Sequence, residues 1–171
     1  MNYYVDVIWP LPLKGTFTYQ VAHDEFKKLE IGYRVAVSFG KRKIYTGIVQ
    51  ELHNKKPESY ETKSIEFIYD NNKLITQKQI DFWNWLSKYY FVPIGDIMKA
   101  AVPSTFLLES DSLIIRKEIS DDDYGKLSDD EFLIYDALGI QNLKLNDISQ
   151  IINKKNPYPI IQKMISSGYV E

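Results

Sequence analysis

The sequence predicts an α+β chain, with a small β-rich, barrel-like part first and a three-helix part after it. Three observations predict this. Residues 2–49 are short runs of β-branched and aromatic residues divided by prolines and glycines, the mark of short strands and tight turns. From residue 76 the apolar residues recur at spacings of three and four, the helical period. Beyond residue 127 three short helical patterns follow one another with tight turns between them.

In chain order, 2–9 reads as a strand from its β-branched and aromatic content. Pro10, Pro12 and Gly15 break it into a stiff, extended loop. Residues 16–21 return to strand, with Phe17 and Tyr19 on one face and Thr18 on the other. The charged stretch 23–30 reads as a turn into a hairpin at 32–49, two alternating runs around Gly40. A polar loop at 55–61 leads to a strand at 63–68. A helix follows from Thr76, its N-cap, to Tyr90, with Ile80, Trp83, Leu86 and Tyr90 on one face. Pro93 ends it, and a second helix from Ile94 closes at Pro103.

Residues 104–127 read as a joint, with one strand within 107–116 and an acidic, flexible stretch at 120–125. Ser128 and Glu131 fit a capping box that opens a helix through Leu138. Further helices are expected at about 145–152 and 158–166, and a strand starts at Val170. Three short helices and then a strand describe a winged-helix unit whose wing barely begins; a plain three-helix bundle fits the same pattern.

Composition narrows the function. Of 171 residues, 44% are apolar, 26% charged and 14% aromatic, a globular balance. Met1 and its neighbours form neither a basic nor an apolar leader region, and no apolar run is long enough to span a bilayer. A cytoplasmic protein without a membrane partner is therefore expected. The chain has no cysteine, which excludes disulfides and thiolate zinc sites, and the two isolated histidines, His23 and His53, cannot build a metal site unless several carboxylates converge on them. The net charge of −2 hides an asymmetry: +4 over residues 1–56, −1 over 57–105 and −5 over 106–171. A modest polyanion footprint is thus expected at the β-rich end.

No phosphate-binding P-loop, dinucleotide fingerprint, G-x-S-x-G or H-E-x-x-H motif is present, so no catalytic residue is assigned. The acidic runs at 121–123 and 129–131 read as a linker and a helix N-terminus, not as metal ligands. Gly40 permits a positive φ angle and close approach to the main chain, and Lys41, Arg42 and Lys43 beside it favour an anion. A solvated hairpin tip fits the same residues. Phe17 and Tyr19 fit either a barrel core or a platform on which bases stack. Lys63 fits a solvated edge or a phosphate contact. Lys154, Lys155, Tyr158 and Lys163 lie before and on the third helix, the groove-reading position of a winged helix; ordinary surface charge fits them equally.

Four motifs occur together in order. They are Pro10-Leu11-Pro12-Leu13 with Thr16-Phe17-Thr18-Tyr19; Gly32-Tyr33-Arg34-Val35-Ala36-Val37 with Phe39-Gly40-Lys41; Thr46-Gly47-Ile48-Val49; and Tyr89-Tyr90-Phe91-Val92-Pro93-Ile94-Gly95-Asp96. In this order and spacing they resemble the N-terminal region of the primosomal replication-restart helicases, the PriA family. The resemblance covers residues 3–105 strongly, and 106–171 by position and pattern.

The resemblance implies a 3′-DNA-end-binding domain over 1–105 and a winged-helix domain over 106–171. It implies binding to the 3′ end of the nascent leading strand at stalled or branched forks, for primosome assembly. The chain then reads as the non-enzymatic N-terminal fragment of an ATP-dependent 3′→5′ helicase. No cofactor is expected in this fragment, and ATP, magnesium and zinc only in the missing helicase core. The implied partners are forked DNA with a free 3′ end and, through the full-length helicase, other primosome proteins and single-stranded DNA-binding protein. The implied pocket is Phe17, Thr18, Tyr19, Gly40 and Lys63, with Lys41, Arg42 and Lys43 guiding the phosphate backbone. The family carries an acidic residue where this chain has Thr18, which can hydrogen-bond but bears no charge. The alternative from another class is a non-catalytic protein–protein adaptor made of a β-domain and a winged helix.

Overall fold

The computed structural model describes residues 2–40, 43–69, 73–154 and 156–171. The chain divides into two compact units, Met1–Leu108 and Glu109–Glu171. In the first, β1 (Tyr3–Ile8), β2 (Phe17–Val21), β3 (Arg34–Phe39), β4 (Lys43–His53) and β5 (Ile65–Ile68) form one antiparallel sheet in the order β2-β1-β4-β3-β5. The sheet curls until its two edges meet. Gln20 of β2 bridges Ser64, and the Gln20 amide donates to the Lys63 carbonyl at 2.8 Å. The result is a half-barrel, as the strand pattern predicts.

Strand alternation decides what fills it. Val5 and Val7 of β1, Tyr19 and Val21 of β2, Val35 and Val37 of β3, and Ile65 of β5 pack together on the concave side. Ile8 and Ile48 emerge on the other face and are covered by α2 (Gln77–Tyr90) and α3 (Ile94–Ala101) through Ile80, Trp83, Ile94 and Met98. The central strands are thus apolar on both faces, whereas edge strand β2 exposes Gln20. A register shift between Asp6 and Val7 bends β1 against β4 and tightens the curl.

Helix α2 begins where its cap predicts. The Thr76 hydroxyl accepts from the Gln79 amide at 3.4 Å, and Gln79 Oε1 accepts from the Thr76 amide at 2.9 Å. It ends at Phe91, whose backbone is left-handed at φ 55°, two residues before Pro93.

Two short helices were not expected. Residues 23–30, read as a turn, contain α1 (His23–Phe26), where Glu25 Oε2 accepts from the Ala22 amide at 2.9 Å. The acidic stretch holds α4 (Asp121–Tyr124), with Ser120 as cap and carboxylates on the positive end of the helix dipole. A single turn is too short to show a period, so local capping alone makes it. The strand expected within 107–116 is only β6 (Leu113–Ile114), preceded by a 3₁₀ turn at Ser104–Phe106.

In the second unit the three expected helices are α5 (Asp129–Leu138), α6 (Leu145–Ile151) and α7 (Tyr158–Ser166). They bury Ile134, Leu138, Ile148, Ile161 and Met164. β6 pairs with β7 (Leu143–Lys144), and the next residues pair with the chain end. Arg116 bridges Val170, and Ile115 and Glu171 exchange amide–carbonyl bonds of 2.8 and 2.9 Å. No helix among the described residues is long and apolar enough to cross a membrane.

Candidate functional site

Strand β2, the turn after β3 and the chain entering β5 converge on a pocket of about 130 Å³ in the first unit. Phe17, Thr18, Tyr19, Gly40 and Lys63 all line it, so five residues selected from three separate segments come together. Antiparallel pairing sets Phe17 opposite Val7 and Tyr19 opposite Val5, both facing the concave side. There they meet Trp9, which the sequence reading did not single out. Its ring lies 5.0 Å from Phe17 and 5.9 Å from Tyr19, and Phe39 stands edge-on to it at 4.6 Å. The floor is therefore a cluster of rings in offset and edge contacts, a rigid apolar surface.

Polar groups rim this floor. The Tyr19 hydroxyl donates to the Ser38 carbonyl at 3.1 Å. Burial, with Tyr60 nearby, pushes its phenol above the ordinary tyrosine value, so it remains a neutral donor. Lys63 donates from its ammonium to the Gly40 carbonyl. Gly40 has φ +62°, a left-handed turn that other residues adopt at a cost, and no described atom lies within 4 Å of where a Cβ would stand. Its missing side chain therefore leaves open space at the turn. Thr18 donates its amide to the Tyr60 hydroxyl at 2.9 Å and its own hydroxyl to Asp6 Oδ1 at 2.6 Å. Glu61 also lines the pocket. Such a site can hold a planar apolar ring against the floor with an anionic group beside Lys63.

Not every selected residue belongs to it. Lys41, Arg42 and Lys155 lie outside the described residues. Lys43 is exposed at the start of β4, opposite Phe39. In the second unit, Lys154 pairs with Asp130, and Lys163 Nζ lies 2.8 Å from Glu131 Oε1. Tyr158 requires a correction: only 3% exposed, it shares the inner face of α7 with Ile161 and Met164, and its ring is no part of the surface. Glu131 is buried, which works to raise its pKa. The Lys163 ammonium and the Ser128 amide and hydroxyl outweigh that and hold it below the ordinary carboxylate range.

Of the pocket residues left unselected, Phe39 was signalled by standing next to Gly40, and Trp9 by sharing strand parity with Val5 and Val7. Tyr60 and Glu61, in a polar loop, carried no signal. No group of three or more His, Cys, Asp or Glu among the described residues could hold a metal ion.

Residues 6–103 match the family described as the 3′ DNA-binding domain (3′BD) of PriA. The chain is 30% identical over 116 residues to the replication restart protein PriA of Buchnera aphidicola, covering 67% of this chain and 15% of the relative. It is similar to the PriA of Treponema pallidum, 24% identical over 105 residues, or 59% of this chain and 16% of that one. The PriA of Rickettsia prowazekii is 33% identical over 93 residues, 54% of this chain and 14% of that one. The chain thus aligns with about 15% of the length of these relatives. The family match runs from the middle of β1 through the rest of the half-barrel and both helices packed on it, with every residue of the pocket inside its bounds. The chain belongs to the PriA 3′ DNA-binding domain family.

Proposed function

We propose that this chain binds the 3′ end of a DNA strand in replication restart, with the terminal nucleotide in the pocket of Phe17, Tyr19, Gly40 and Lys63. The observation that carries the reading is the convergence of these four residues within the family-matched stretch. Each supplies what a strand terminus requires. Aromatic rings take a base or sugar without choosing among bases. The Gly40 turn leaves the main chain open to close approach. The Lys63 ammonium, already at the Gly40 carbonyl, neutralises a phosphate. Thr18 lines the same pocket, with its hydroxyl given to Asp6.

At the finer level, the ligand is the nascent leading strand at a stalled or branched fork, and Lys41, Arg42 and Lys43 guide its backbone. The second unit acts as a winged helix that engages the branch. The chain contributes recognition, not catalysis, to an ATP-dependent 3′→5′ helicase whose core holds ATP, magnesium and zinc. Primosome proteins and single-stranded DNA-binding protein are met through that whole protein, in the cytoplasm. Fork binding measured with 3′-hydroxyl and 3′-phosphate ends tests the proposal: tighter binding of the hydroxyl end is expected, and equal affinity would sink it.

A second reading, a protein–protein adaptor, is favoured by one feature. Phe82, Trp85 and Tyr89 stack along the exposed face of α2, with centroids 6.0 and 5.1 Å apart. That reading predicts no fork binding and little loss when Phe17 or Lys63 becomes alanine.

A further inference from the structure

Helix α5 buries Ile134, Tyr135 and Leu138 and turns its other side to water. On that side Asp129, Leu133, Asp136 and Ile140 follow one another at spacings of four, three and four, which lines them up as one stripe. The stripe runs on past the helix end because Gly139 keeps a right-handed helical backbone and the Ile140 amide donates to the Ala137 carbonyl at 3.1 Å. Leu133 is 48% exposed, Ile140 85%, and Phe132 next to Leu133 41%. The Tyr124 ring stands edge-on to Phe132 at 5.5 Å, which widens the apolar strip toward α4. Scattered exposed apolar residues are ordinary, but a contiguous strip of them on one helix face marks an interaction surface.

Two of these residues do nothing for the fold. Asp129 suits the positive end of the helix dipole, but Asp136 stands in the last turn, where a carboxylate meets the negative end and weakens the helix. Ile140 leaves most of its surface in water. Among the described residues no cation pairs with Asp129 or Asp136, because the lysines of this unit are already taken. Lys117 pairs with Glu171, Lys126 with Asp123, Lys144 with Asp111, Lys154 with Asp130 and Lys163 with Glu131. Arg116 lies over the Tyr135 ring at 4.0 Å. The stripe thus alternates acidic and apolar groups with no positive charge of its own to balance it.

We propose that this stripe of α5 docks a basic amphipathic helix of a partner protein, whose apolar side chains cover Leu133, Ile140 and Phe132 while its lysines or arginines meet Asp129 and Asp136. Charge complementarity selects that occupant. The two carboxylates repel an acidic helix or a phosphate backbone. A wholly apolar partner would bury them without partners. A facing helix repeats its side chains at the same three-and-four spacing, so one set of apolar and basic positions meets the whole stripe. The stripe is about 16 Å long, so the contact is small and transient. It lies on another helix than α7 and in another unit than the pocket, and it stands independently of the end-binding reading.

The test titrates the whole chain against two fluorescent helical peptides of about four turns and reads anisotropy. One is made of leucine and lysine, and the other has glutamate in place of every lysine. Wild type is expected to bind the lysine peptide and not the glutamate one. Ile140→Ser should weaken that binding about tenfold. Asp136→Lys should weaken it about tenfold too and gain binding of the glutamate peptide. A cation in the last turn favours the helix, so the melting temperature of Asp136→Lys should equal or exceed that of wild type, which separates lost binding from lost folding. Equal affinity of wild type for the two peptides, or unchanged affinity in either variant, would overturn the proposal. So would dimers in sedimentation that Ile140→Ser abolishes, which make the occupant a second copy, or fork binding lost in Ile140→Ser, which makes the face a DNA contact.

Discussion

The ammonium of Lys63 donates to the carbonyl of Gly40, joining the chain that enters β5 to the turn after β3 across 23 residues. An ammonium held at a turn carbonyl can exchange that partner for a phosphate. Lys63→Ala should weaken DNA binding about tenfold at low salt, whatever the sequence, and reduce the slope of log affinity against log salt by about one. Lys63→Arg should keep the slope. A salt titration checks this, and an unchanged slope in the alanine variant would show that Lys63 meets no phosphate.

Phe17 is half-buried against Trp9 and faces the pocket. Phe17→Ala should cost about 1–3 kcal/mol of binding, the worth of one base–aromatic stack. Phe17→Leu keeps apolar bulk but no ring face, so it should preserve thermal stability better than affinity. Isothermal titration and melting of the same samples separate the two losses.

Gly40 needs its left-handed turn but has open space where a side chain would stand. Gly40→Asn, which tolerates positive φ, should leave the melting temperature near wild type yet weaken DNA binding by filling the approach to the pocket. Gly40→Val should lose both, with strain of about 1–2 kcal/mol added. Wild-type affinity in Gly40→Asn would exclude close approach at this turn.

Gly32 differs. It has φ +91°, and an added Cβ would run into the Ile75 carbonyl, so neither backbone can yield. Gly32 also donates to the Val49 carbonyl at 2.8 Å and accepts from the Leu74 amide at 3.1 Å, anchoring β4 and the lead-in to α2. Gly32→Ala should destabilise the first unit by more than about 2 kcal/mol, read as a lower midpoint in urea unfolding.

Glu131 provides an acid-sensitive lock in the second unit. Its folded pKa lies below the usual value of 4.5, so the stability it gives is present above that value and is lost as pH falls through the folded pKa. Unfolding followed between neutral and acid pH should show this limb. Glu131→Gln should flatten it and lower stability already at neutral pH, leaving Lys163 without its partner.

Much of the half-barrel was legible because its signals are local. Thr76 with Gln79 marks the start of α2, and proline and glycine punctuate every strand of the first hairpins. α1 and α4 escaped because four residues cannot display a helical period. The burial of Tyr158 could have been read from its spacing to Ile161 and Met164, but a position near two lysines suggested the surface instead. The pairing of Lys163 with Glu131 had no sequence signal, since it joins two helices 32 residues apart.

By itself the sequence determined the alternation that puts Phe17 and Tyr19 on one face, the turn that only a glycine makes easily at Gly40, and membership of the family. These depend on single dihedrals, on strand parity and on short motifs, all written within a few residues. Only the tertiary structure decided that Trp9 floors the pocket, that Lys63 reaches Gly40, and that Thr18 gives its proton to Asp6. Those contacts follow from the curl and register of the sheet. Burial on both faces of β1 and β4, summed over many distant residues, sets that register, and no short stretch of chain contains it.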